Sequence, residues 1–100
     1  MTIVLARYTT HPDKATANED LIHAVFDELR RSSPAGLRYS AFKLADGPSF
    51  VHLAIIDTAD GSNPLVTMDS FKRFQNGLRE RCVEPPVVTD LLPVESYGAA

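Results

Sequence analysis

Three consecutive segments decide the fold of this chain: Leu37-Arg38-Tyr39-Ser40-Ala41-Phe42-Lys43-Leu44, then Ala45-Asp46-Gly47-Pro48-Ser49, then Phe50-Val51-His52-Leu53-Ala54-Ile55-Ile56-Asp57. The outer two are rich in strand-forming residues, and the middle one is dense in turn formers. The middle segment is too short for a crossover between parallel strands. The sequence therefore predicts an antiparallel β-hairpin.

The second strand of this hairpin is apolar on both faces. By alternation, one face carries Val51, Leu53 and Ile55, and the other carries Phe50, Ala54 and Ile56, with His52 as the polar interruption. A strand with one face in water alternates apolar and polar residues. This strand therefore needs a cover on each face.

The chain before the hairpin predicts a strand followed by a helix. Residues 2–10 favour a strand in which Arg7 shares a face with Ile3 and Leu5. The 3–4 spacing of apolar positions then predicts an amphipathic helix over about 15–31. Its first turn is either a capping box at residues 16–19 or an earlier start at Pro12.

The chain after the hairpin predicts a second helix and a last strand. Phe71, Phe74, Leu78 and Cys82 form the apolar stripe of a helix capped by Asp69 or Ser70. Gly77 lies inside it, which suggests close packing against that turn. Glu84-Pro85-Pro86 is expected to end the helix, and Val87 to Tyr97 to form a strand. Pro93 makes this strand an edge strand or a bulged one. Residues 98–100 are expected to form a frayed tail.

The predicted order is β-α-β-β-α-β, the ferredoxin-like α+β arrangement, with a four-stranded antiparallel sheet. Two helices cover one face of this sheet. The other face still carries apolar side chains from the first and third strands, and no segment remains to cover it. A second copy, related by a two-fold axis, would cover it. The sequence therefore predicts a homodimer that forms an α+β barrel.

Composition predicts one cytoplasmic domain spanning residues 1–100. The net charge of −3 argues against nucleic acid as a partner, because neutralising phosphates requires clustered Lys and Arg. No apolar run is long enough for a membrane span, and the N-terminus lacks the basic segment of a signal peptide. The lone Cys82 excludes an internal disulfide and suits a small buried apolar residue.

The chain resembles the antibiotic biosynthesis monooxygenase-like superfamily of dimeric α/β-barrel proteins over almost its whole length. The resemblance rests on the element order and on three motifs: Pro34-Ala35-Gly36-Leu37-Arg38-Tyr39, Phe71-Lys72-Arg73-Phe74, and Pro85-Pro86-Val87 leading into a strand that ends Ser96-Tyr97-Gly98.

This resemblance implies a pocket between helices and sheet, or in the barrel, with cofactor-free or haem-linked chemistry. The chain lacks the Trp of haem-degrading members and has no His within 64–84, which disfavours haem. The expected function is a monooxygenase that needs no cofactor and acts on a quinol or polycyclic aromatic molecule. The alternative is a non-catalytic dimer that binds a small apolar or aromatic molecule or another protein.

Five residues are candidates for the site: Arg7, Asn18, Tyr39, His52 and Phe74. His52 suits a general base, although a hydrogen-bonded structural histidine is the alternative. Arg7 could bind an anionic substrate, or form a salt bridge between subunits. Tyr39, like Tyr8, could donate to a substrate oxygen or lie at an interface.

The other two candidates lie on predicted helices. Asn18 interrupts an apolar stripe and needs hydrogen-bond partners if it is buried, whereas in the first helical turn it would be solvated. Phe74 is a candidate wall of the pocket, with an ordinary core position as the alternative.

Overall fold

The computed structural model describes residues 1–98 of the chain. The strands are β1 Thr2–Thr10, β2 Leu37–Lys43, β3 Ser49–Ile56 and β4 Cys82–Leu91, and the helices are α1 Ala15–Ser32, α2 Asp69–Gln75 and α3 Leu78–Arg81. The four strands form an antiparallel sheet in the order β2-β3-β1-β4. The helices lie on one face, so the ferredoxin-like prediction is confirmed.

The β2–β3 hairpin forms as predicted, and alternation assigns its faces correctly. Phe50, His52, Ala54 and Ile56 are buried beneath the helices, whereas the residues between them are only partly buried. The helices and the sheet share one apolar core, whose buried members are Tyr8, Ile22, Val25, Phe50, Leu65, Met68, Phe74 and Leu78.

Helix α1 begins earlier than a capping box would allow. A 3-10 turn over Pro12–Lys14 leads directly into the helix, and no side chain caps it at Lys14. The alternative of a start at Pro12 is therefore confirmed, since the fixed φ of proline suits a first turn. At the other end, Ser33 adopts a left-handed conformation and its N–H donates to Leu29 O at 2.8 Å.

The second predicted helix is two short helices, which corrects the sequence interpretation. Asn76 is extended and Gly77 has φ +78°, so α2 ends at Gln75 and α3 starts at Leu78. Close packing is not the reason for the glycine, because a Cβ there would meet only Arg81 Nη1 at 3.8 Å. Glycine is favoured because its backbone adopts positive φ at little steric cost.

The last strand also differs from its prediction. It begins at Cys82, five residues before Val87, and ends at Leu91, before Pro93. Two prolines are tolerated in it because β4 is an edge strand, as predicted, and its pairing with β1 shifts register between Arg7 and Thr10. The predicted frayed tail at 98–100 falls largely on residues 99 and 100, which lie outside the described residues.

The sheet face away from the helices is mainly apolar. It carries Ile3, Leu5, Arg7, Arg38, Ser40, Phe42, Val51, Leu53, Ile55, Val87, Thr89 and Leu91. No element within residues 1–98 covers this surface, which we call the open face. Among those residues no helix has the length and apolar character to cross a membrane.

Candidate functional site

A cavity of about 300 Å³ lies between the helix-covered face of the sheet and the segment from Asn63 to Leu78. Its lining is largely apolar, and the exposed side chains of Val66, Gln75 and Val88 mark its rim. Its polar groups come mainly from the sheet: Tyr8 on β1, Tyr39 on β2 and His52 on β3. An apolar cavity with a few converging polar groups is the usual form of a small-molecule site.

The imidazole of His52 lies between two phenol oxygens. His52 Nε2 is 2.7 Å from the Tyr8 hydroxyl, and Nδ1 is 2.6 Å from the Tyr39 hydroxyl. Asn18, which is completely buried on α1, donates from Nδ2 to the Tyr8 hydroxyl at 2.8 Å. These distances form a continuous hydrogen-bonded chain across strands and helix.

Arg81 binds the Asn18 amide at the end of this hydrogen-bonded chain. Its Nε donates to Asn18 Oδ1 at 3.2 Å, and its terminal nitrogens donate to Phe74 O at 2.7 Å and Asn76 O at 3.1 Å. Its guanidinium carbon lies 5.5 Å from the Phe74 ring centroid, within the range of a cation–π contact. Arg81 therefore fixes Asn18 relative to the break between α2 and α3.

Burial makes these groups neutral. Desolvation lowers the pKa of His52 to about 4, and burial raises the pKa values of Tyr8 and Tyr39 well above their ordinary value. At neutral pH the cavity therefore presents an uncharged imidazole and two uncharged phenols. Both ring nitrogens of His52 are hydrogen-bonded to tyrosines, so neither nitrogen is free to bond a ligand in this arrangement.

Aromatic rings hold the imidazole and phenol groups in place. The Phe74 ring stacks on His52 with centroids 5.2 Å apart, and the Phe26 ring stacks on Tyr39 at 5.3 Å. These contacts come from α2 and α1 respectively, so the helices orient groups that the sheet supplies. Offset ring contacts of this kind add to the stability gained by burial.

The structure brings four of the five predicted site residues together: Asn18, Tyr39, His52 and Phe74. Arg7 is separate from them. It is exposed on the open face because its neighbour Ala6 pairs with His52, and successive strand residues point to opposite faces. Arg7 therefore cannot contact a ligand in this cavity from the same chain.

Two polar residues at the site were not among the sequence candidates. Arg81 makes a contact with Asn18 that spans 63 positions. Asn63 lines the cavity, and its Oδ1 accepts from Leu65 N at 3.0 Å in the 3-10 turn Pro64–Thr67. Its remaining polar atom is therefore a donor. The Asn63-Pro64 pair indicates a turn, but not that the turn borders a cavity.

The described residues contain no cluster of three or more His, Cys, Asp or Glu side chains arranged to hold a metal ion.

Comparison with known proteins relates this chain to others by fold. No protein-family model matches it, and no curated protein sequence does so either. Rv0793 from Mycobacterium tuberculosis is similar in structure with a TM-score of 0.76 and 23% identity, over 95% of this chain and 96% of that one.

Two further solved structures carry functional names. A Nitrosomonas europaea protein assigned by its name to the antibiotic biosynthesis monooxygenases has a TM-score of 0.78 and 14% identity, over 95% of this chain and 100% of its own. A variant of SnoaB, a cofactor-independent oxygenase from Streptomyces nogalater, has a TM-score of 0.71 and 15% identity, over 98% and 97%. At these identities the likeness concerns the fold.

Proposed function

We propose that this chain, which has the fold of the antibiotic biosynthesis monooxygenase-like superfamily, is a monooxygenase that needs no cofactor and oxidises a quinol or polycyclic aromatic molecule. The observation that carries the proposal is the Tyr8–His52–Tyr39 hydrogen-bonded chain at the wall of an otherwise apolar cavity. Fold likeness alone would not support a reaction.

The cavity suits a flat aromatic ligand. Its volume of about 300 Å³ is at the lower end of the range for small-molecule sites. Phe71, Phe74 and Leu65 provide apolar walls, and the polar groups are concentrated on the sheet side. A phenol or quinone ring could contact these walls while its oxygen reaches the Tyr39 hydroxyl.

The reaction that we propose takes its electrons from the substrate. A phenolic ring loses its proton to solvent, becomes electron-rich and forms a carbon–oxygen bond with O₂. The resulting peroxide takes up a proton, and loss of the ring C–H proton with cleavage of the oxygen–oxygen bond then releases water. A ring C–H becomes C=O, the phenol becomes the second carbonyl, one oxygen atom is retained and the other leaves as water. The substrate is oxidised to a quinone and O₂ is the oxidant, so no other reductant is required.

The protein would contribute hydrogen bonds to the phenolate-like oxygen. His52 was predicted as a general base, but a pKa near 4 makes it a weak proton acceptor at neutral pH. We therefore propose that His52 acts by orienting the Tyr39 hydroxyl, with Asn18 supporting Tyr8 on the other side. Phe74 would hold both the imidazole and the substrate ring.

The functional unit that we propose is a homodimer. A second copy placed on the open face would remove its apolar side chains from water, and such burial is favourable by about 25 cal/mol per Å². Arg7, which lies on that face, would then act in subunit contacts, the alternative that the sequence left open. A two-fold arrangement would bury both open faces at once.

Oxygen uptake with a panel of naphthols, naphthoquinols and anthrones tests the proposed activity. We expect equal amounts of O₂ consumed and quinone formed, above the rate without protein. Tyr39→Phe should reduce kcat about 100- to 1,000-fold, since it removes a hydrogen bond to developing charge. Arg73→Gln, a change at an exposed position on α2, is the matched control.

Binding of these compounds without oxygen uptake would instead establish the non-catalytic binding protein. If the compounds neither bind nor cause oxygen uptake, both proposed functions of this cavity are wrong.

A further inference from the structure

We infer that Arg81 sets the direction of every hydrogen bond in the Tyr8–His52–Tyr39 chain, so that the Tyr39 hydroxyl donates into the cavity to an oxygen acceptor of the ligand. The direction itself is a property of the protein alone. The identity of the ligand oxygen, a phenolate or quinone carbonyl, rests on the proposed function.

The Asn18 amide can take only one orientation. A guanidinium has donors and no acceptor, so the Asn18 atom that faces Arg81 Nε must be the oxygen. The amide nitrogen then faces the Tyr8 hydroxyl, 2.8 Å away. Because Asn18 has no exposed surface, water cannot satisfy the opposite orientation. Arg81 thus determines that Tyr8 receives a hydrogen bond.

The orientation of the Asn18 amide determines where the Tyr8 proton points. Tyr8 is 2% exposed, and the polar atoms at its hydroxyl are Asn18 Nδ2 and His52 Nε2. Since Asn18 Nδ2 can only donate, His52 Nε2 is the acceptor for the Tyr8 proton. The other tautomer, with a proton on Nε2, would leave the Tyr8 proton facing two donors, which is costly for a buried group.

The tautomer of His52 in turn determines where the Tyr39 proton points. With Nε2 as an acceptor, a neutral His52 carries its proton on Nδ1 and donates to the Tyr39 oxygen at 2.6 Å. The Tyr39 proton must then point away from His52. Tyr39 lines the cavity and is less buried than Tyr8, so its proton is available to a ligand there. Arg81 is therefore a positioning residue that acts through four others.

The remaining contacts of Arg81 explain why it can hold this position. Its terminal nitrogens bind the carbonyls of Phe74 and Asn76, which the break at Gly77 frees from helical hydrogen bonding. Five donors in a planar group allow contacts with the break and with Asn18 together. A continuous helix through Gly77 would not present these carbonyls in this way.

Long-range ¹H–¹⁵N NMR of the ring nitrogens of His52 tests the inference, in the full chain without ligand at pH 7. Protonated and unprotonated ring nitrogens are distinguished by their ¹⁵N shifts, and His52→Gln identifies the signals. We expect Nδ1–H in the wild type. An Nε2–H form in the wild type would overturn the inference before any other variant is made.

Two variants test the role of Arg81. Arg81→Met frees the Asn18 amide to rotate, so the Nε2–H form should increase about tenfold, the effect expected for one lost hydrogen bond to a charged group. Asn18→Asp places an acceptor against the Tyr8 hydroxyl, so His52 should switch to Nε2–H. Arg79→Met, an exposed change on the same helix, should leave the tautomer unchanged.

An unchanged tautomer in folded Arg81→Met would show that Arg81 does not set the direction, and an unchanged tautomer in folded Asn18→Asp would show that Asn18 does not transmit it. If Arg81→Met does not fold, the wild-type spectrum and Asn18→Asp still test the direction of the hydrogen bonds that pass through Asn18. Because no substrate is present, this outcome is independent of oxygen uptake, and a failure of the proposed function would leave the tautomer result intact.

Discussion

The two hydrogen bonds of His52 require a neutral imidazole. A charged ring would have two N–H donors, and the Tyr8 hydroxyl would then face donors from both His52 and Asn18. The same burial that lowers the pKa of His52 to about 4 prevents water from compensating. Protonation of His52 and an intact site are therefore mutually exclusive.

This exclusion predicts a loss of stability in acid. The unfolded chain takes up a proton at His52 below its ordinary pKa of 6.5, whereas the folded chain does so only near 4. The stability that comes from burying His52 in its neutral form is fully present above pH 6.5 and is lost as the pH falls towards 4. The free energy of unfolding decreases by up to about 3 kcal/mol in total. Urea unfolding at pH 7 and pH 4.5 measures it.

The control for this prediction is His52→Gln, which cannot titrate. Hydrogen bonds from Ser70 and Ser62 lower the pKa values of Glu28 and Asp60, so both proteins lose some stability in acid from these carboxylates. The difference between wild type and His52→Gln should shrink as the pH falls. An equal pH dependence in the two proteins would contradict the low pKa.

The two tyrosines differ in what their hydroxyls support. Tyr8→Phe leaves both Asn18 Nδ2 and His52 Nε2 without a buried partner, and we expect it to lower the free energy of unfolding by about 1–3 kcal/mol. Tyr39→Phe should cost less, because Tyr39 is only partly buried. Denaturant titration compares them. An equal loss of stability in the two variants, or a larger loss in Tyr39→Phe, would contradict the position of Tyr8 inside the network.

At the scale of elements, two glycines with almost the same φ have different reasons to be glycine. Gly77, at the break between α2 and α3, has φ +78°, and a Cβ there would make only an ordinary contact with Arg81 Nη1 at 3.8 Å. Gly36, between α1 and β2, has φ +77°, but a Cβ there would lie 2.6 Å from Asp57 O. Gly36 O also accepts from Asp57 N at 2.7 Å, which joins the start of β2 to the end of β3.

Alanine substitution at Gly77 and at Gly36 distinguishes the cost of a left-handed backbone conformation from the cost of steric overlap. Gly77→Ala should cost about 1–2 kcal/mol for the left-handed backbone alone. Gly36→Ala should cost more, because the backbone near Asp57 must also move. Thermal and urea unfolding measure both. Equal losses in the free energy of unfolding would mean that the backbone near Asp57 moves away from the added Cβ at little cost.

At the scale of the molecule, the open face predicts the oligomeric state. Leu53 lies at its centre, paired with Leu5 on β1 and Ser40 on β2. Phe42 is 56% exposed on the same face, which is unfavourable for a large aromatic group in water. We expect a mass of two chains from size exclusion with light scattering.

Leu53→Glu should convert this dimer to a monomer, because each subunit would have to bury a charge at the centre of the interface. Arg73→Glu changes the charge at an exposed position of α2 and should leave the measured mass of the assembly that of a dimer. A monomeric wild type at micromolar concentration would contradict the proposed assembly. So would a Leu53→Glu protein that remains dimeric.

Local patterns in the sequence determined most of the fold. Strand alternation placed His52 beneath the helices and Leu53 on the open face, and the 3–4 spacing located α1, because each pattern is read over a few neighbouring residues. The interpretation was wrong where local signals competed: glycine indicated a tolerated helix interior rather than a break at Gly77, and Pro85-Pro86 indicated a helix end rather than an edge strand.

The site depended on tertiary structure. The contact of Tyr8 with His52 spans 44 positions, and that of Arg81 with Asn18 spans 63. No short-range pattern encodes such pairs, because they arise only when the sheet and helices enclose a common interior. Asn18 and His52 were each identifiable as polar interruptions of apolar surfaces. That they join one hydrogen-bonded chain, with its direction fixed by Arg81, followed only from the folded geometry.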